Sequence, residues 1–206
     1  MVPQPVKAVI LLFPITPDYE TKRLTEDRQI KEEGQHPVDP TIIWIKQTIG
    51  NACGTMGLLH AFANSDVTVA PESPLAKFID QCKTKTPEER SKLLEETELF
   101  ADIHADAASA GQTEAPEADS RTDLHFTCFV QAPSPPSREE GIEVDETGMR
   151  LLELDGRRGG PVDRGISTNF LEDVSKIVKE VYINSTTSAE FSMLALSVPP
   201  QDEAEA

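Results

Sequence analysis

Cys53 is the residue whose local setting best suits nucleophilic chemistry. Apolar residues recur at helical spacing from Cys53 to Ala63, which predicts a helix. We expect Asn51 to be its N-cap and Asn64 to end it in a left-handed conformation. In the first turn, unpaired backbone N–H groups and the positive end of the helix dipole would lower the pKa of the thiol. An ordinary buried helix with an inert cysteine is the alternative that this pattern leaves open.

A cysteine nucleophile needs a base within hydrogen-bond reach and an acceptor that orients the base. His60 lies roughly 10 Å beyond Cys53 along an ideal helix, so it cannot reach the sulfur. His125 lies on a predicted strand between two buried faces, which would hold its ring rigidly, and the next strand ends in Asp155. Cys53, His125 and Asp155 are therefore the candidate site. A turn aspartate before Gly156 is the alternative for Asp155.

Gln47 and the spacing of possible ligands complete the chemical inventory. Gln47 lies six residues before Cys53 and supplies an amide N–H that could stabilise an oxyanion. No two Cys or His residues show the spacing of metal ligands. We therefore expect neither a metal nor another cofactor.

Hydrophobic runs and helix signals predict the elements that hold these residues. The continuous apolar run at 8–13 predicts a strand that is covered on both faces. Thr86, Pro87 and Glu89 predict a capped helix start. Because the strands with His125 and before Asp155 are consecutive, antiparallel pairing is their simplest arrangement. In chain order we expect strands at 8–13 and 41–45, helices at 21–33, 53–63, around 75–79 and from 87 to about 104, strands at 124–130 and 150–154, a helix at 169–184 and a strand at 191–198.

Polar segments separate some of these elements. The stretch 105–123 has no large apolar residue, and a loop of that length inside a compact domain is usually functional or disordered. Prolines and acidic residues at 132–149 predict a disordered or hairpin-end insertion. We expect one domain over 1–198, followed by an acidic tail at 199–206.

The composition restricts the partners and the compartment. The net charge is −17, from 36 acidic and 19 basic residues, which argues against nucleic acid and an anionic membrane surface as partners. A basic partner is the natural complement. Three cysteines without a C-x-x-C pair suit a reducing compartment, and the apolar run at 8–13 is too short for a membrane span. We expect a monomer in the cytoplasm, with the nucleus as a further location.

Several segments, in the same order, resemble the ubiquitin C-terminal hydrolase family, the papain-like cysteine deubiquitinases of peptidase family C12. The most specific is the run QTIGNACGTMGLLHA, at 47–61. The other similar segments are 1–16, 87–90, 111–116, 123–126 and 153–157. They are spread across nearly the whole chain.

The resemblance implies a fold and a set of roles. The family fold is α+β, in α-β-α order, with an antiparallel sheet flanked by helices and a knotted chain path. By position, Cys53 is the nucleophile, His125 the general base, Asp155 the residue that orients His125, and Gln47 the oxyanion donor. The reaction is hydrolysis after the terminal glycine of ubiquitin. A ubiquitin-like protein such as NEDD8 is an alternative partner, and a weakened ubiquitin-binding module is an alternative function.

Two further expectations come from the resemblance. The family segment that corresponds to 105–123 crosses over the active site, which implies a preference for small or unfolded adducts of ubiquitin. Family members also carry a segment, with a strand and a helix, before the part that resembles 1–16. Without that strand, we expect the strand at 8–13 to lie exposed at an edge of the sheet.

Overall fold

The computed structural model describes residues 2–97, 123–135 and 148–197. A π-helical turn (Val178–Tyr182) and a 3-10 turn (Ile183–Ser185) follow the last helix. The elements in chain order are β1 (Val6–Pro14), α1 (Pro17–Glu33), α2 (Cys53–Ala63), α3 (Pro74–Cys82), α4 (Pro87–Glu96), β2 (Leu124–Pro133), β3 (Met149–Leu154), β4 (Val162–Ile166), α5 (Phe170–Ile177) and β5 (Ser192–Ser197).

The five strands form one antiparallel sheet in the order β4-β3-β2-β1-β5. The expected α+β class and the antiparallel pairing of β2 with β3 are confirmed. The expectation that the strand at 8–13 lies at an edge is wrong, because Leu11 pairs with Thr127 on one side and with Met193 on the other. β1 is thus an inner strand, which accounts for its continuous apolar run.

Alternate residues of β1 and β2 face two different core layers, as the period of a strand requires. On the side of α5, the layer includes Val9, Leu11, Phe13, Phe129 and Val174. On the opposite side, the layer includes Ala8, Ile10, Trp44, Cys128 and Val130. α2 contacts β2 and β1 on that second side, with Gly57 of α2 against Ile10. The sheet therefore separates α2, which begins at Cys53, from the α5 layer.

The segment 41–45 was expected to be a strand, and that prediction is wrong. Its residues 43–45 are buried, but side chains of α2 and of the residue after α2 bond backbone groups of the segment. Asn64 accepts a hydrogen bond from the Ile43 N–H (2.7 Å) and donates one to the Ile43 carbonyl (2.8 Å). His60 accepts one from the Ile45 N–H (3.0 Å). Burial without a neighbouring strand explains the apolar run.

Helix ends differ from the expectation at several places. The predicted capping box of α4 is confirmed, with Thr86 and Glu89 bonding each other's backbone N–H. α4 ends at Glu96, before the extended residue Thr97, so the prediction of one helix to about residue 104 is wrong. α1 begins earlier than expected, at Pro17, and ends before Gly34 as expected.

The structure also alters the region around the predicted insertion. β2 and β3 run into it from both sides, so that Pro133 pairs with Met149. β4 was not predicted, because Asp163, Arg164 and Gly165 (φ 104°) carry no strand signal. Residue 1 and three ranges lie outside the described residues, the ranges being 98–122, 136–147 and 198–206. These ranges contain most of the stretch 105–123, which was expected to cross over the active site, and the acidic tail at 199–206.

Candidate active site

Cys53 is the first residue of α2, as predicted. The N-cap is Ala52, so the prediction of Asn51 as N-cap is wrong. Asn51 instead adopts a left-handed φ of 55°, and Ala52 follows with right-handed angles. Residues of opposite hand in succession turn neighbouring backbone N–H groups toward one concave side. Asn64 ends the helix, but its φ of −120° is not left-handed, so that part of the prediction is wrong. Its side chain instead donates a hydrogen bond to the His60 carbonyl of the last turn.

The Cys53 side chain is half-buried, and His125 is among the groups that act on the pKa of its thiol. Burial alone would raise the pKa of the thiol. Hydrogen bonds from the His125 side chain and from the backbone N–H groups of Phe126 and Gly54 outweigh burial, so the pKa of Cys53 is lowered. The thiolate is therefore favoured at this position.

His125 and Asp155 form a buried, hydrogen-bonded pair. The Nε2–H of His125 donates to Oδ1 of Asp155 at 2.7 Å, which leaves Nδ1 as the nitrogen toward the sulfur of Cys53. Burial opposes protonation of the ring, but the hydrogen bonds to Asp155 and Cys53 outweigh it and raise the pKa of His125 to about 9. Burial would raise the pKa of Asp155, yet its bond to His125 lowers it overall. The arrangement favours a thiolate beside an imidazolium.

The sheet places this pair on one face. Phe129 of β2 lies opposite Glu153 of β3. His125 precedes Phe129 by four residues and Asp155 follows Glu153 by two, and both numbers are even. His125 and Asp155 therefore project to the same side. The ring of Phe13 meets the His125 ring edge to face, with centroids 5.6 Å apart. Strand register and an aromatic contact thus hold the imidazole in position.

Gln47 lies beside the turn that follows Asp155. Its backbone N–H donates to the Gly156 carbonyl at 2.8 Å, and its Nε2 donates to the Ile49 carbonyl at 3.1 Å. A Cβ at Gly156 would lie 2.9 Å from the Gln47 Cβ, so only glycine allows this approach. Among the described residues, Cys53, His125 and Asp155 are joined through side chains, whereas Gln47 is joined to them through its backbone.

A buried ionic cluster behind Asp155 was missed from the sequence. Glu153 is fully buried and accepts hydrogen bonds from Arg164 (2.7 Å) and from the Tyr182 hydroxyl (2.6 Å). Arg158 bonds Glu26 (2.6 Å) on α1, so the segment after Asp155 is fastened to that helix. A glutamate inside the apolar strand 150–154 was the signal, because a buried carboxylate needs a partner.

The other cysteines do not belong to this site. Cys82 and Cys128 are buried free thiols. Burial raises the pKa of Cys82 to about 11 and that of Cys128 further. Within ranges 2–97, 123–135 and 148–197, no group of three His, Cys, Asp or Glu side chains could hold a metal ion. Across the same ranges, no helix is both long and apolar enough to cross a membrane.

Comparison with known proteins gives a family and several relatives. A family model described as ubiquitin carboxyl-terminal hydrolase, family 1, matches residues 1–183. The chain is 37% identical to ubiquitin carboxyl-terminal hydrolase 3 of Arabidopsis thaliana, over 96% of this chain and 77% of that protein. It is 35% identical to a ubiquitin carboxyl-terminal hydrolase of Drosophila melanogaster, over 97% of this chain and 82% of that protein. Isozyme L1 of Homo sapiens is 34% identical, over 95% and 80% respectively.

Solved structures show the same fold. The catalytic domain of Trichinella spiralis UCH37, solved bound to ubiquitin vinyl methyl ester, matches with a TM-score of 0.62. The match covers 93% of this chain and 76% of that one, at 21% sequence identity. The similarity confirms the papain-like fold that the sequence predicted.

Proposed function

The chain belongs to the ubiquitin carboxyl-terminal hydrolase family of cysteine peptidases, and from this premise we propose that it hydrolyses bonds at the C-terminal glycine of ubiquitin. One observation carries the proposal. Cys53, at the start of α2, has its thiol pKa lowered by the side chain of His125, whose Nε2 lies 2.7 Å from Oδ1 of Asp155. A nucleophile, a base and an orienting acid are thus joined in the order that thiol catalysis needs.

In the proposed acylation step, the Cys53 thiolate attacks the carbonyl carbon of the terminal glycine. A C–S bond forms and the carbonyl oxygen becomes an oxyanion. The Gln47 amide and the backbone N–H groups at the start of α2 are the proposed donors to that oxygen. The His125 imidazolium then gives its proton to the leaving amine as the C–N bond breaks. The products are a ubiquitin thioester on Cys53 and a free amine.

In the proposed deacylation step, water hydrolyses the thioester. His125 is now neutral and accepts a proton from the water as its oxygen attacks the carbonyl. The C–S bond breaks, which restores the thiolate and the imidazolium, and ubiquitin leaves with a free carboxyl group that releases its proton to the solvent. Asp155 remains ionised throughout, because its lowered pKa disfavours protonation. Its role is to hold the imidazole with Nδ1 toward the sulfur.

The proposed substrates are ubiquitin molecules with small or unfolded adducts. One feature supports ubiquitin as the partner, and a second supports the restriction to small or unfolded adducts. The tail of ubiquitin is basic and ends in glycine, which suits a chain of net charge −17. The stretch 105–123 also resembles the family segment that crosses the active site, although only Asp123 of it is among the described residues. Lengthening this stretch with Gly and Ser should improve cleavage of di-ubiquitin, and no improvement would count against the size restriction.

Hydrolysis of ubiquitin with a C-terminal fluorogenic amide tests the proposed function. The protein should release the fluorophore, and Cys53→Ala should abolish release while still binding ubiquitin. Cys128→Ala is a control, since its buried thiol projects to the face of the sheet opposite His125 and Asp155. Faster turnover of the matching NEDD8 amide would assign a ubiquitin-like substrate instead. Binding of ubiquitin without turnover would contradict the hydrolase and indicate a binding module.

A further inference from the structure

His60 is a fully buried histidine that the proposed chemistry does not use. It lies on α2, and both of its ring nitrogens bond backbone groups of other segments. Nε2 accepts a hydrogen bond from the Ile45 N–H at 3.0 Å. Nδ1 lies 3.2 Å from the Leu154 carbonyl. One imidazole therefore joins three separate parts of the chain.

These two bonds define the state of the ring. Because Nε2 accepts, it carries no proton, so the proton is on Nδ1 and is donated to the Leu154 carbonyl. Only the neutral ring offers one donor and one acceptor. Burial lowers the pKa of His60 to about 4, which agrees with a neutral ring at neutral pH. The side chain is thus a fixed link rather than a proton carrier.

The segments that it joins carry the candidate site. Ile45 precedes Gln47 by two residues, and Leu154 directly precedes Asp155. α2 itself begins at Cys53. The His60 ring thus spans from the helix of the nucleophile to the segments of the oxyanion donor and the orienting acid.

Further contacts make this junction tight. The Trp44 indole N–H donates to the Asp155 carbonyl at 3.0 Å. The Gln47 N–H donates to the Gly156 carbonyl at 2.8 Å, where there is no room for a Cβ. Because these groups are close-packed, a small change in separation at one bond moves the others.

We propose that His60 is a positioning residue, which sets the distance between the Gln47 segment and the end of β3 and so aligns Gln47 and Asp155 about Cys53. This inference rests on the proposed function. Loss of the link would let the two segments separate, leaving the thiolate, the imidazolium and the oxyanion donor out of alignment. Small misplacements of this kind are costly in catalysis.

Two substitutions at His60 and one control test the proposal. His60→Leu removes both bonds, whereas His60→Gln keeps one amide donor and one carbonyl acceptor. Asn64→Ala is the matched control, because it removes two bonds to the same segment at Ile43, further from Gln47, and one to the His60 carbonyl, while leaving the His60 ring in place. Urea unfolding gives the folded fraction of each variant, so that activity is compared per folded molecule.

Two readouts separate positioning from stability. The first is kcat and KM for the ubiquitin fluorogenic amide. The second is the pH dependence of Cys53 alkylation by iodoacetamide, followed by mass mapping, which needs no ubiquitin. If the unsubstituted protein does not hydrolyse the amide, the proposed function fails, while the alkylation series still tests the positioning role.

For His60→Leu, kcat should fall about tenfold to a hundredfold per folded molecule. KM should change little, since the loss is in alignment. The alkylation curve should move to higher pH. His60→Gln should recover most of kcat, and Asn64→Ala should lose stability without losing kcat.

Several results would overturn the proposal. They are an unchanged kcat and alkylation curve in His60→Leu, a His60→Gln variant no better than His60→Leu, or an equal loss of kcat in Asn64→Ala. If His60→Leu does not fold, His60→Asn replaces it, because its shorter side chain reaches only one of the two groups. His60→Asn should then be clearly less active than His60→Gln, and equal activity would refute the link.

Discussion

The carboxylate of Asp155 should control the pH range over which the Cys53–His125 pair is charged. Asp155→Asn keeps the size of the side chain but removes its charge. A histidine ordinarily has a pKa of 6.5, and the pKa of His125 is raised to about 9. Burial opposes this rise, and the hydrogen bond to Asp155 is the largest contribution in its favour. That difference corresponds to about 3 kcal/mol in favour of the imidazolium. Without the carboxylate, only Cys53 is left to oppose burial, so the pKa of His125 should fall toward the ordinary 6.5.

The sign of the effect follows from the charged form. The imidazolium is lost as the pH rises through the pKa of His125. The substitution should therefore lower the pH at which activity falls on the basic side of the profile. At pH 7.5 and a pKa of 6.5, only about a tenth of the rings are protonated. The loss in kcat/KM should therefore be about tenfold at pH 7.5, larger at higher pH and smaller near pH 6.

The assay is the pH profile of kcat/KM for the ubiquitin fluorogenic amide. Asp163→Asn is a suitable control, because Asp163 is a largely buried carboxylate that pairs with Arg150 away from the site. The basic limb should lie near pH 9 in the unsubstituted protein and in this control, and near or below 7 in Asp155→Asn. A basic limb that stays near 9 in Asp155→Asn, with the same fractional loss at every pH, would refute the reasoning.

Two other predictions concern the thiols and the buried carboxylate. Iodoacetamide at neutral pH should modify Cys53 well before Cys82 or Cys128, whose thiols burial keeps protonated; mass mapping checks this, and equal rates would argue against an activated thiol. Tyr182→Phe removes a 2.6 Å hydrogen bond to the fully buried Glu153, so urea unfolding should show a loss of about 1–3 kcal/mol. An unchanged midpoint would mean that the arginines alone satisfy the carboxylate.

Local signals predicted the parts of the fold that depend on neighbours in sequence. Thr86 and Glu89 are three residues apart and bond each other, so the start of α4 could be predicted. The alternation around His125 likewise gave the two faces of β2. Together with the helix start at Cys53, these patterns made Cys53 and His125 candidates, with an inert buried cysteine as the alternative left open.

Long-range partners account for what the sequence did not predict. The segment 41–45 looked like a strand because its partners, His60 and Asn64, are side chains that lie 15 and 21 residues beyond the groups they bond. β4 was missed because the Arg164 side chain, which is only 7% exposed, pairs with Glu26 on α1, and no local pattern indicates that pairing. The inner position of β1 depends on β5, at the far end of the described chain.

The most direct test of the account is a covalent reaction with ubiquitin vinyl methyl ester. Each protein molecule should react with one molecule of this reagent, and mass mapping should place the adduct on Cys53. Cys53→Ala should form none, whereas Cys82→Ala should react like the unsubstituted protein. An adduct on another residue, or none with the intact and folded chain, would contradict the proposal that Cys53 is a nucleophile directed at the C-terminus of ubiquitin.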